Sequence, residues 1–155
     1  MSSVEKRIVI SEADMVAHVA ANLRPADVEE IRAFYGRDPE EVAMESFEKS
    51  HMAWTGLLDG EPVITFGCAT YDLLETTGVP WLVGTAKLEQ VPFTFARMSR
   101  PFLYRMKERH LRLTNHIDTR NTLAIRWLRW LGFTLDPAAP AGPFGLPFHH
   151  FWMEA

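Results

Sequence analysis

Apolar and polar residues follow either helical or strand-like spacing along most of this chain, and turn residues separate the segments. A short apolar run near the start is typical of a strand. The next three segments have apolar residues at helical spacing, with proline or acidic residues in their first turns. We predict a strand over residues 7–10 and helices over residues 12–23, 25–34 and 38–49, with Ser11 capping the first helix and Gly36 ending the second.

The middle of the chain is rich in strand signals. Two apolar segments, residues 52–58 and 62–69, flank Asp59-Gly60, a pair of residues that favours a tight hairpin turn. A third apolar segment, residues 80–88, follows turn residues at positions 76–78. These three segments predict an antiparallel meander.

Helices and strands alternate in the second half of the chain. Apolar residues recur at helical spacing from Phe95 to Met106, and Pro101 implies either a kink there or a helix that begins near Ser99. Asn121 and Gly132 are suitable residues for the start and the end of a further helix. The remaining predicted elements are a strand over residues 112–118, a helix over 121–131, a strand over 133–135, a proline-rich loop over 136–147 and a strand over 148–153.

The order of these elements predicts a mixed α/β fold, with a mostly antiparallel sheet of six to seven strands and about five flanking helices. The 155 residues suit one domain over residues 1–155. The N-terminus lacks the apolar core of a signal peptide, and no apolar run is long enough to cross a bilayer. We therefore expect a soluble, non-secreted protein that does not insert into membranes.

Charge is unevenly distributed along the chain. Residues 91–132 hold nine Arg and Lys against two acidic residues, a local balance of +7, whereas the whole chain carries −4. The rest of the chain is therefore strongly acidic. A basic segment of this kind is compatible with phosphate of a nucleotide or nucleic acid, with an acidic protein surface, or simply with solvated helix faces.

The histidines and the cysteine do not form a recognisable site. His149 and His150 are adjacent, so on a strand their side chains point to opposite faces and cannot bind one metal ion together. His110 and His116 have no companion ligands at a suitable spacing. Cys68 has no second cysteine with which to form a disulfide, and we interpret it as a small core residue. We expect no metal site.

The segment from Asn121 to Phe133 reads N-x-x-A-I-R-x-x-x-x-x-G-F and follows the alternating run of residues 112–118. This pattern resembles the closing βαβ unit of the GNAT acyltransferase superfamily. The order of the predicted elements along nearly the whole chain is similar to that of a GNAT domain. The resemblance implies a sheet whose fourth and fifth strands splay apart and, in the enzymes, hold acetyl-CoA between them.

The chain departs from the GNAT pattern where the cofactor's pyrophosphate is usually held. In GNAT enzymes a glycine-rich turn before the central helix lets backbone N–H groups approach the phosphates closely. Here no glycine occurs between Gly84 and Gly132. Leu128 stands where many GNAT enzymes have a tyrosine that protonates the leaving thiolate, and an aliphatic side chain cannot do so. The sequence therefore argues against ordinary cofactor binding.

Four residues are candidates for a site if acetyl-CoA is nevertheless bound. Glu89 follows the predicted fourth strand, where a general base is often found in GNAT enzymes. Arg97 and Arg100 could replace the missing backbone donors at the pyrophosphate, and Asn121 is the asparagine of the matching motif. On this alternative the chain is an acetyl-CoA-dependent N-acetyltransferase with an unusual cofactor site.

In lacking both the glycines and the tyrosine, this sequence resembles one group of GNAT-like proteins, the internal virion proteins of short-tailed phages. That resemblance implies a protein without established catalysis, present in the host cytoplasm during assembly or in the virion interior, with virion or assembly proteins as partners and no required cofactor. The matching residues are Trp81, Leu82, Val83, Arg97, Arg100, Arg105, Asn121, Thr122, Ile125, Arg126 and Leu128.

The basic segment supplies the candidate interaction surface of such a protein. A third function, accessory binding of DNA or other nucleic acid through residues 91–132, would use the same surface. Trp127 and Trp130 could stack on bases, but we favour packing, with one of the two in the core and the other partly buried against the proline-rich loop. The predicted surface residues are Arg105, Arg109, Arg126, Arg129 and Trp130.

Overall fold

One mixed sheet of eight strands runs through the computed structural model, which describes residues 4–155. Its order is β1-β2-β3-β4-β5-β8-β6, and β7 pairs with β8. The strands are β1 (Lys6–Ile10), β2 (Ser50–Leu58), β3 (Glu61–Thr70), β4 (Thr77–Gly84), β5 (Arg112–Asp118), β6 (Thr134–Leu135), β7 (Ala139–Ala141) and β8 (Leu146–Glu154). All their pairings are antiparallel except that of β4 with β5.

Five α-helices cover the sheet, as predicted. They are α1 (Ala13–Ala21), α2 (Pro25–Tyr35), α3 (Pro39–Glu48), α4 (Thr94–Arg109) and α5 (Thr122–Leu131). The predicted start and stop residues explain several of their bounds. Asp38 accepts a hydrogen bond from the Glu41 N–H at the start of α3, and Gly36 and Gly132 end α2 and α5 in the left-handed conformation.

The helices form two layers on opposite faces of the sheet. Phe95, Leu103 and Trp127 of α4 and α5 pack against sheet residues such as Ile64 and Leu113 in the larger core. Residues of α1, α2 and α3 form a smaller core with Val83. Because side chains of a strand alternate between faces, neighbouring β4 residues contribute to different cores. The sheet therefore separates α4 and α5 from the other three helices.

The structure corrects the predicted bounds of β4. This strand ends at Gly84 rather than Leu88, and a 3₁₀ helix spans Ala86–Gln90. The strand also begins earlier than predicted, because Gly78 and Val79 pair with the end of β3. Glu89 consequently lies in the 3₁₀ helix and not at the end of a strand.

Two further expectations are corrected, and one alternative is decided. Ser11 does not cap α1, whose N-cap is Glu12, because its hydroxyl lies 2.7 Å from that of buried Thr55. Of the two alternatives at Pro101, a helix that begins near Ser99 is excluded, because α4 begins at Thr94 and contains Pro101. The proline-rich segment is not entirely a loop, because β7 lies within it and pairs with β8. The Asp59-Gly60 hairpin is confirmed, with φ angles of 49° and 80°.

In the part of the chain that the structure describes, no helix combines the length and the apolar character needed to cross a membrane.

Pro101 lies inside α4, so replacing it should stabilise the protein. Pro101→Ala restores a backbone N–H where a helix-interior proline costs about 3 kcal/mol, and we expect the free energy of unfolding to rise by about 1–3 kcal/mol. Pro25→Ala is the control, because Pro25 is the first residue of α2 and its fixed φ suits that position. That variant should lose about 0.4–1 kcal/mol in urea unfolding. A Pro101→Ala variant less stable than wild type would contradict the prediction.

Candidate functional site

Strands β4 and β5 pair over two residues only and then separate. Thr77 pairs with Arg112 and Gly78 with Leu113. Beyond these pairs the Asn115 side-chain amide donates to the Pro80 carbonyl at 2.8 Å, so a side chain bridges the gap where backbone hydrogen bonds stop. The splayed pair implied by the GNAT resemblance is therefore present, and its paired end is held closed.

At the other end of the gap between β4 and β5 lies a buried ion pair at the start of α2. The Arg24 guanidinium donates from Nε to Asp27 Oδ2 at 2.9 Å and from Nη2 to Oδ1 at 3.1 Å. Both side chains are almost fully buried, with 2% and 1% exposure. Asp27 Oδ2 also accepts the backbone N–H of Gly84 at 2.8 Å, which ties α2 to the end of β4.

Asn121 and Glu30 extend this ion pair to β5. Arg24 Nη2 donates to Asn121 Oδ1 at 2.9 Å, and Asn121 Nδ2 donates to Glu30 Oε2 at 3.2 Å. Glu30 Oε1 accepts the backbone N–H of Asp118, the last residue of β5, at 2.7 Å. We call these four residues, Arg24, Asp27, Glu30 and Asn121, the polar cluster. It joins α2, both strand ends and the start of α5.

Burial changes the protonation of two members of the polar cluster. The pKa of Asp27 is raised by burial, although the Arg24 charge opposes that shift. Burial raises the pKa of Glu30 to about 8, and the hydrogen bond from the Asp118 N–H only partly opposes this. No Arg or Lys within residues 4–155 lies within 4 Å of the Glu30 carboxyl group. Glu30 is therefore a carboxyl group that titrates near neutral pH.

A cavity of about 150 Å³ lies between the two bridged ends of the gap. Residues of both helical layers line it, and most of its wall is aliphatic or aromatic. Glu30, Asn115 and His116 supply polar groups to the wall, and burial lowers the pKa of His116. Glu30 keeps some accessible surface because it lines this cavity. A carboxyl group with a raised pKa in an apolar cavity can exchange a proton with a bound ligand.

The polar cluster went unpredicted as a site, although the sequence contains a signal for it. Arg24, Asp27 and Glu30 follow one another at intervals of three residues, and a helix that begins at Pro25 places them along one side. Charged residues that align on a helix next to the apolar Ile31 can indicate a buried network. What the spacing does not reveal is that Gly84, Asp118 and Asn121 lie opposite.

The predicted cofactor residues are not gathered around one pocket. Asn121 is 3% exposed, and its side chain already bonds Arg24, Glu30 and the Ala124 N–H, which it caps. The Arg100 guanidinium lies 4.1 Å from the centre of the Trp130 ring and donates to the Trp130 carbonyl. Arg97 is exposed on α4. A role for these residues toward acetyl-CoA stays a prediction.

Glu89 lies beside a shallow depression at the unpaired end of the gap. Its carboxylate is 56% exposed and lies 3.8 Å from Arg24 Nη1. The same depression contains Arg120, which bonds the Asp118 carboxylate at 2.7 Å and lies 3.7 Å from Glu29. Both arginines at this depression therefore have acidic partners already, and Glu89 adds a negative charge there.

The predicted interaction residues belong to the outer side of α4 and α5, but their contacts differ. Arg126 lies over the Phe93 ring at 4.8 Å, and Arg105 lies over Phe102 at 5.4 Å. Arg109 pairs with Glu75 at 3.1 Å. Trp130 is 45% exposed and lies under Arg100, whereas Trp127 is buried and donates to the Ser99 hydroxyl. Arg129 is exposed.

The histidines and Cys68 take part in packing and hydrogen bonding. Burial raises the pKa of the Cys68 thiol to about 12, so it is protonated at neutral pH. His150 Nδ1 bonds the Asp136 carboxylate at 2.8 Å, and His149 bonds the Asp136 carbonyl. Across residues 4–155 there is no group of three or more His, Cys, Asp or Glu residues that could hold a metal ion.

Solved structures share this fold over almost its whole length. One is an acetyltransferase of the GNAT family from Streptococcus pneumoniae (TM-score 0.68, 13% identity, 97% of this chain and 100% of that one). A second is a ribosomal-protein-alanine N-acetyltransferase from Brucella melitensis (TM-score 0.72, 13% identity, 96% of this chain and 99% of that one). A third is an N-acetyltransferase from Staphylococcus aureus (TM-score 0.73, 10% identity, 97% of this chain and 98% of that one). No family model and no curated protein matches the chain. At these identities the similarity establishes a GNAT-like fold and nothing finer.

The raised pKa of Glu30 predicts a loss of stability with rising pH. An unfolded glutamate titrates near 4.5 and the folded one near 8, so the folded state binds the extra proton between these values. The contribution of Glu30 is complete below pH 4.5 and falls by up to about 1.4 kcal/mol per pH unit until pH 8. Asp27 contributes in the same direction.

Glu30→Gln should therefore flatten the decline in stability between pH 5 and pH 9 while keeping an oxygen for the Asp118 N–H. Urea unfolding at several pH values measures this. Glu48→Gln, at an exposed position, is the control and should reproduce the wild-type profile. Identical pH profiles for wild type and Glu30→Gln would show that Glu30 ionises normally.

Proposed function

We propose that this chain is a non-catalytic GNAT-fold protein that acts through its helical surfaces in phage virion assembly, as an internal virion protein. The observation that carries the non-catalytic part is the polar cluster. It occupies the unpaired end of the gap between β4 and β5, where GNAT enzymes admit acetyl-CoA. Arg24, Asp27 and Asn121 satisfy one another there, so they offer a ligand little.

The connection between β4 and α4 supports the same proposal. A pyrophosphate site needs free backbone N–H groups that glycine leaves accessible. Here the N–H groups of Leu88, Val91 and Thr94 each donate to the carbonyl three residues earlier. Phe95 and Ala96, which follow in the first turn of α4, are buried. Three backbone donors of this connection are thus committed to the chain itself.

Most of the nearby cations already have partners and are therefore less available to bind a pyrophosphate. Arg24 and Arg120 are paired with carboxylates, and Arg100 contacts Trp130. Arg97 alone among the predicted cofactor cations has neither a carboxylate nor an aromatic partner within residues 4–155. A dianionic group at this position would meet one free arginine and the carboxylate of Glu89.

The assembly role rests on the resemblance to internal virion proteins of short-tailed phages. The segment that carries the resemblance forms β4, α4, β5 and α5, and α4 and α5 hold seven of the 16 Arg and Lys of the chain. The partners on this proposal are virion or assembly proteins, and packaged DNA is a second partner for the same surface. The protein would work in the host cytoplasm during assembly and in the virion interior afterwards.

An acetyl-CoA-dependent N-acetyltransferase is the second candidate, and one specific observation favours it. The cavity between the two helical layers contains the Glu30 carboxyl group, whose pKa is about 8. A group with such a pKa can act as the general base that takes a proton from a substrate amine. The similar solved structures are described as acetyltransferases. In this case the polar cluster would have to open, and Arg97 and Arg100 would contact the pyrophosphate.

Calorimetric titration with acetyl-CoA separates the two candidates. We expect no saturable heat from wild-type protein at low or moderate salt, because Arg24, Arg100 and Arg120 already have partners and Arg97 alone would face the pyrophosphate. Circular dichroism of the same sample confirms that the protein is folded. Micromolar binding that is lost in Arg97→Ala/Arg100→Ala and kept in the control Arg105→Ala would contradict the non-catalytic proposal and favour the second candidate.

The assembly role has a separate test. Peptide mass spectrometry of purified particles of the source phage should detect this chain in stoichiometric amounts. Its absence from particles, together with its presence in the soluble lysate, would contradict a role as an internal virion protein whether or not acetyl-CoA binds.

A further inference from the structure

The two helical layers carry opposite charge. Residues 12–49, which contain α1, α2 and α3, hold ten Asp and Glu against four Arg and Lys, a formal balance of −6. Helices α4 and α5 together hold seven Arg and Lys against one Glu, a balance of +6. Because the sheet lies between the layers, these charges cannot neutralise one another within one molecule.

The basic layer presents cations that lack acidic partners. Six of its seven Arg and Lys side chains have no carboxylate within 4 Å among residues 4–155, Arg109 being the exception. Arg100 and Arg126 lie over Trp130 and Phe93, so aromatic contacts across the two helices hold them in place. The six are Arg97, Arg100, Arg105, Lys107, Arg126 and Arg129. We call this surface the basic face.

The acidic layer presents a complementary groove along α3. Five acidic residues line it, together with Met44 and two cations; they are Asp38, Glu40, Glu41, Glu45, Glu48, Arg37 and Lys49. Glu45 is paired with Arg37 at 2.6 Å, whereas the other three glutamates are exposed and have no cation within 4 Å in the described part of the chain. The groove therefore has a net negative charge, five acids against two cations, and Met44 adds an apolar side chain to it. We call it the acidic groove.

We propose that the basic face of one copy of this chain binds the acidic groove of the next copy, head to tail. The two surfaces are of opposite sign and lie on opposite sides of the molecule, so one copy can use both at once. A contact between two different surfaces is heterologous, and repeated copies give a ring or an open filament. This inference goes beyond the proposed function and does not require it.

Charge complementarity selects a second copy over nucleic acid as the partner. A polyanion would meet the basic face but would be repelled by the opposite layer, and the whole chain is negative. A second copy uses both layers. The partly exposed Trp130 on the basic face and Met44 in the groove give the contact an apolar component.

The contact should depend strongly on salt. Individual pairs between exposed side chains contribute about 0–1 kcal/mol, so several must act together. The Debye length is about 30 Å at 0.01 M salt and about 3 Å at 1 M, which removes the attraction between exposed charges at high salt. Sedimentation velocity at these two salt concentrations should show concentration-dependent oligomers in the first and monomers in the second.

Two charge-reversal variants test the head-to-tail geometry. Arg97→Glu/Arg129→Glu reverses two charges of the basic face, and Glu41→Lys/Glu48→Lys reverses two charges of the acidic groove. Each variant alone should be monomeric at low salt. Mixed in equal amounts they should form a 1:1 complex that does not grow, because each retains one intact surface. Lys6→Glu/Arg7→Glu on β1 is the control; it has the same charge change as the first variant and should still form oligomers.

Three outcomes would overturn the proposal. Wild-type protein could remain monomeric at low salt over the whole accessible concentration range. Either variant alone could still form oligomers, which would indicate a different contact. A single-stranded oligonucleotide could bind the basic face of a protein that never associates with itself, which would assign that face to nucleic acid. None of these outcomes depends on whether acetyl-CoA binds.

Discussion

The buried ion pair between Arg24 and Asp27 is the interaction on which the rest of this structure depends. Arg24 also donates its backbone N–H to the Gly84 carbonyl, and Asp27 accepts the Gly84 N–H, so the start of α2 is bonded to β4 in both directions. A buried charge without its partner is strongly destabilising, so neither residue can leave this arrangement alone. The ion pair thereby fixes Asn121 and, through it, the first turn of α5.

The consequence is a GNAT-like fold in which the strand gap is enclosed rather than open. Asn115 bridges one end and the polar cluster bridges the other, and a cavity remains between them. The fold requires β4 and β5 to separate, and this chain fills the ends of that gap with its own polar groups. The helical layers outside the gap carry opposite charges.

Much of the fold could be predicted from the sequence, because capping residues and the Asp59-Gly60 turn act locally. The errors occurred where distant partners decide the outcome. The Ser11 hydroxyl bonds that of Thr55 instead of capping α1. Part of the proline-rich segment forms a strand because it pairs with β8. The polar cluster was missed for the same reason, since Arg24 and Asn121 are 97 positions apart. The missing glycines, by contrast, are visible in the sequence alone.

Hydrogen exchange at two backbone amides tests the enclosed gap most directly. The N–H groups of Gly84 and Asp118 donate to Asp27 and Glu30, and both bonds must break before the polar cluster can open. If the polar cluster keeps the gap closed in the native protein, both amides exchange only through global unfolding, with the same free energy as the buried Ile64 amide in β3. Exchange at much lower free energy, slowed by added acetyl-CoA, would show that the gap opens in the native protein and would contradict an enclosed gap.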